Sequence, residues 1–138
     1  MRTIAAIEAD LDAVATSTDA ARQLLGLAEE ILEYWVAARG ETPTAETSEG
    51  FRLLALHRQG ARGVPSFNAC RETCREVAYH YNLLCAAPDP AQDGRRRLMM
   101  AMLVRHLALF VGGKMQAEGL GEFCCASRPL RQETSVQT

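Results

Sequence analysis

Apolar residues along this chain recur at helical rather than strand spacing. Ile4, Ile7, Leu11 and Val14 mark a short first helix, and Thr16 or Ser17 is placed to cap the next one, with Asp19 at its positive end. From Asp19 to Arg39 the set Leu24, Leu27, Ala28, Ile31, Trp35 and Ala38 follows the i, i+3, i+4, i+7 rule, with Glu29, Glu30 and Glu33 off the stripe and Gly40 as the left-handed stop. After the polar connector "ETPTAETSEG", Thr47 or Ser48 caps a short helix carrying Phe51, Leu53, Leu54 and Leu56, which Gly60 is expected to end. "GARGVPS" is the clearest break. Ser66 then caps a helix running to about Ala87, where Pro88 forbids continuation. "DPAQ" at 89–92 reads as an Asp N-cap with Pro at the first helical position, opening a last helix that runs to Glu118 and turns at Gly119, with Leu120 against Met115.

No segment alternates as a strand does, and no repeat is present. The expected fold is therefore all-α: a compact antiparallel bundle of four to five helices with a partly ordered C-terminal tail, the segment 66–118 forming its central hairpin. Residues 1–128 form one domain and 129–138 a flexible tail, in keeping with 138 residues, enough for a single core.

Two helices carry the unusual residues. Along the helix that opens with "FNACRETCREV", Phe67, Cys70, Cys74, Val77, Ala78, Tyr81, Leu84 and Cys85 fall on one side, with Arg71, Glu72, Arg75, Glu76, Tyr79 and Asn82 on the other. Three thiols on an apolar stripe are expected to pack as small buried hydrophobes. The chemical alternative is a soft-metal site, zinc, iron or copper, held by Cys70, Cys74, Cys124 and Cys125, with Cys85 and His106 as outside candidates; otherwise no cofactor is implied. A further alternative is a thiol switch at Cys124 and Cys125, where Arg128 favours the thiolate. The spacing of Cys70 and Cys74 lacks the tight chelating turn of a CxxC knuckle, which weakens the metal reading.

The last helix, "LMMAMLVRHLALFVGG", is apolar nearly all round, so it is expected either at the centre of the bundle or between subunits. His106 shares its most apolar side with Leu98, Met99, Met102, Leu109 and Phe110 and is expected to be buried. Ala101, Ala108 and Gly112 form a narrow flank that would let another helix approach closely. Arg95, Arg96 and Arg97 stand at the unfavourable end of the helix dipole, where an acidic partner or an anion would relieve them. These six residues make up the expected partner interface.

Composition narrows the functional classes. A net charge of −2 gives no global case for nucleic acid. The charge is uneven: residues 1–64 hold six Arg against ten acids, and residues 65–138 hold nine Arg and Lys against seven, a difference suited to steering halves or subunits together. No run reaches the ~20 consecutive apolar residues of a membrane span, and Glu8, Asp10 and Asp12 interrupt any secretory signal, so a cytoplasmic protein without membrane contact is expected. The five cysteines are then expected to stay reduced. Motifs for nucleotide loops, zinc proteases, serine hydrolases and di-iron bundles are missing. The reading is a non-enzymatic helical interaction or assembly protein that pairs with itself or another protein; its alternative is a small metal-binding or thiol-redox protein.

Overall fold

The computed structural model describes residues 3–15 and 19–120. Its five helices are α1 (Ile4–Ala15), α2 (Ala20–Ala38), α3 (Arg52–Ala61), α4 (Arg71–Ala86) and α5 (Asp93–Ala117), with a 3-10 turn at Pro65–Cys70 leading into α4. The described residues contain no strand, and the bundle is all-α as the spacing predicts.

α2 is the hub, packing against each of the other four helices. Its predicted stripe is the buried one: Leu24, Leu27, Ala28, Ile31 and Trp35 are enclosed, joined by Ile7 and Leu11 of α1 and Leu53 and Leu56 of α3. α4 and α5 form an antiparallel hairpin. Arg96 at the start of α5 donates to the Ala87 carbonyl at the end of α4 (3.0 Å), while Lys114 near the end of α5 reaches Ser66 ahead of α4 (2.6 Å).

The helix ends depart from expectation in instructive ways. Thr16 and Ser17 lie outside the described residues. Ser48 does not cap α3; it pairs with Phe51 through two backbone hydrogen bonds of 2.9 and 3.0 Å, and the turn between them uses Glu49 and Gly50, both at positive φ. Nor does Gly60 end α3. It lies inside the last turn because Trp35 occupies the space where a side chain would go, and the left-handed residue is Gly63. Ser66 makes no cap, since the chain enters α4 through the 3-10 turn. Asp89 caps the turn before α5, accepting from the Ala91 amide at 3.1 Å, while its own amide donates to the Asp93 carboxylate at 3.1 Å. The ending at Gly119 is as expected, with the Leu120 amide donating to the Met115 carbonyl at 2.8 Å.

The largest correction concerns which face of α5 is buried. Met100, Val104, Leu107, Ala108, Val111 and Met115 point inward. His106 is exposed, not buried, and so are Leu98, Met99, Met102 and Leu109. Ala108 is enclosed by this chain's own helices, and Gly112 faces α1, where an added Cβ would stand 3.8 Å from Ile4. The small flank thus admits α1 rather than a partner. By length and composition α5 is also long and apolar enough to cross a membrane, and 33% of its most apolar 18-residue stretch is packed inside the bundle. Arg105 and His106 conceal this from a search for unbroken apolar runs.

Candidate functional site

An aromatic stack organises the centre of the molecule. Phe67, carried in by the 3-10 turn, lies flat against Trp35 (centroids 4.7 Å apart, planes 9° apart) and on its other flank faces His57 of α3 at 5.5 Å. Trp35 is held by its own polar atom, Nε1 donating to the Gly60 carbonyl at 2.9 Å. One carbonyl, that of Phe67, receives two side chains: His57 Nε2 at 3.2 Å and Cys70 Sγ at 3.3 Å. A carbonyl only accepts, so Nε2 of His57 carries a hydrogen. His57 is 4% exposed and is the one buried polar side chain among the described residues.

Cys70 and Cys74 are buried, as the stripe predicts. They are not equivalent. The Cys74 thiol donates toward the Cys70 sulfur, which pulls Cys70 below the ordinary thiol range against the opposing effect of burial, with His57 adding to the pull. The same bond, together with burial, raises Cys74. The pair therefore holds one proton more firmly than the other.

Cys85 is a correction, exposed rather than on the buried ridge. It stands in the last turn of α4, in a surface cleft with Asp19, Arg22 and Arg97 rather than against the core. Cys124 and Cys125 lie outside the described residues. Among the described residues no three His, Cys, Asp or Glu side chains converge as a metal site, and His106 and Cys85 stand apart from Cys70 and Cys74.

Of the six expected interface residues, Ala108 and Gly112 serve the interior and Ala101 is half-buried. Arg96 folds back on Ala87 and on Asp93 (3.3 Å), Arg97 is half-buried, and Arg95 is exposed. The open surface of α5 is instead its opposite side. Met99, Met102, His106, Leu109 and Gly113 are all exposed and alternate at intervals of three and four, the seam spacing of two paired helices. Leu98, beside them, is 57% exposed, Met102 63% and Leu109 61%.

The chain matches no family model, no curated protein and no solved structure.

A second feature escapes a search for motifs. Arg58 and Arg62 at the end of α3, and Arg71 and Arg75 at the start of α4, line one cleft of about 360 Å³ with His57 among its walls. Each pair is spaced i, i+4; Arg71 and Arg75 share a face of α4, while Arg62 lies in the "GARGVPS" break just past α3. That repeated spacing is the signal available in the sequence.

Proposed function

We propose that this protein is a self-associating helical assembly protein, whose seam is the outer face of α5. The supporting observation is the exposed row of Met99, Met102, His106, Leu109 and Gly113 at three- and four-residue intervals, on a helix whose other face is already committed to the core. Leu98, Met99, Met102 and Leu109 together leave roughly 400 Å² of apolar side chain in water, the size at which a patch on a monomer marks an interaction site. Burying two such patches is worth up to about 20 kcal/mol gross at ~25 cal/mol per Å². Association consumes about 4–15 kcal/mol of that. Enough remains for a reversible dimer.

A second copy of α5 suits this face in antiparallel order. Arg95, Arg96 and Arg97 sit at the positive end of the helix dipole, and at the negative end Glu118 is paired with Lys114 at 3.6 Å, so antiparallel pairing sets the arginine cluster beside the negative end of the partner's dipole. Parallel pairing would place both arginine clusters together.

Sedimentation equilibrium over about 1–100 μM tests this, the range in which a modest surplus of binding energy is visible. The full chain is expected to be a dimer, and Met102→Glu with Leu109→Glu to be a folded monomer, since both side chains are exposed. His106→Leu is expected to tighten the dimer by removing the polar group from the seam. A full chain that stays monomeric throughout overturns the reading. So does dimerisation only after truncation at Leu120, which would assign the α5 face to the chain's own C-terminal segment.

A further inference from the structure

The arginine cleft is independent of the α5 seam. Its four guanidinium groups come from two helices and a shared break, and the only acidic side chain lining it is Glu49. Glu49 is taken by Arg75 in a two-pronged pair of 2.9 and 3.3 Å. Arg58 is held by the Ser48 hydroxyl at 3.0 Å. Arg62 and Arg71 have no hydrogen-bonded carboxylate among the described residues. Moreover, Arg71 and Arg75 occupy the first turns of α4, the positive end of that helix, where side-chain cations are disfavoured and an anion is welcome. Arg71 and Arg75 thus stand beside a helix end of their own sign, while Arg58 and Arg62 stand at the end of α3, where the dipole favours a cation.

We infer that this cleft binds a small phosphorylated anion, its phosphate oxygens taken by Arg62 and Arg71 with Arg58 and Arg75 alongside. Arginine's planar fork matches phosphate oxygens in pairs, which a simple carboxylate would use less fully. Charge sets the class. Four arginines and Glu49 give the cleft +3, a balance that a diphosphate group meets and a monocarboxylate does not. Size agrees, because about 360 Å³ is the lower range of small-molecule sites and suits a phosphate group with a small body attached. Leu54 and Ala61 supply the apolar wall for that body.

The remainder of the chain argues against a long polyanion. With −2 overall and +3 in the cleft, everything else carries −5, so the chain outside the cleft has no net attraction for a long polyanion.

Titration calorimetry of the full chain with inorganic pyrophosphate at low salt tests the inference, with acetate and a single-stranded oligonucleotide as comparators. Saturable pyrophosphate binding is expected, weakened about tenfold or more in Arg62→Gln with Arg71→Gln, given the strength of charge-assisted pairs. Both side chains are exposed or rimming, so circular dichroism should show the variant folded; Arg22→Gln, at the other end of the bundle, should bind as the parent does. The inference fails if pyrophosphate gives no saturable heat, if the double variant binds unchanged, or if Arg22→Gln loses as much. It also fails if the oligonucleotide binds more tightly than pyrophosphate.

Discussion

Gly60 offers the sharpest test of how the core is built. Substitution by alanine at a helical glycine ordinarily stabilises a protein by about 1 kcal/mol. Here the added Cβ would lie 2.8 Å from Trp35 Cδ1, 3.1 Å from Phe67 Cε2 and 3.2 Å from Trp35 Nε1. Carbon atoms in contact prefer about 3.5–4.0 Å, so one group must move by more than half an ångström. Neither ring is free to do so: Trp35 is stacked on Phe67 at 4.7 Å and anchored to the carbonyl of Gly60 itself. Overpacking of this kind costs about 1–3 kcal/mol. Weakening the indole hydrogen bond adds about 1 kcal/mol. Against the helical gain, Gly60→Ala is expected to destabilise by about 2 kcal/mol, lowering the urea midpoint by roughly 1 M for a domain of this size. Gly26→Ala is the opposite control. It lies on the exposed side of α2 with nothing within 4 Å of the new Cβ, and its midpoint should rise. Circular dichroism during urea titration reads both. A double-mutant cycle with Trp35→Phe isolates the contact: if Gly60→Ala costs the same with and without the indole, or stabilises outright, the steric reasoning is wrong.

Other expectations concern polar groups that tie helices together. Arg52 donates to the Thr44 carbonyl at 2.8 Å and bridges Glu29 and Glu33 of α2, so Arg52→Met leaves two facing carboxylates and should destabilise by about 2 kcal/mol by the same urea assay. Burial pushes the Glu29 carboxyl above its usual range despite the pull of Arg52. Its contribution to stability is therefore present below the unfolded-state value and lost as pH rises through the folded one, so Glu29→Gln should flatten the stability profile just above the ordinary carboxylate range, and an unchanged profile would refute this. Cys74→Ala removes the thiol that donates to Cys70, so the pH at which the thiolate absorbs in the ultraviolet should move upward when the other thiols are replaced by serine. An unmoved titration would place the source of Cys70's acidity elsewhere.

Helices were legible in the sequence wherever one face differed from the other. α2 and the stretch from Cys70 to Ala78 that leads into and opens α4 present their apolar residues at a single angle, and those residues are the ones the core encloses. α5 is apolar on every side, so periodicity holds no information about direction, and the face richest in large side chains turned out to be the open one. Ala108 and Gly112 show the same ambiguity: small residues permit close approach without saying whose helix approaches. Gly60 looked like a stop because glycine ends helices more often than it accommodates a tryptophan 25 residues away. The arginine cleft was hidden for a different reason. Each of its four residues reads alone as part of a solvated face, and only the turn through Gly63 and Pro65 swings the two pairs toward one another.

Trp35 is the chain's sole tryptophan, and the ring it lies against is flanked in turn by His57, a wall of the arginine cleft. The molecule consequently has an intrinsic fluorophore placed two rings from the arginine cleft. Because Phe67 stands between the two rings, a ligand that displaces the imidazole is expected to change the indole emission, which a fluorescence titration with pyrophosphate would read without an attached dye.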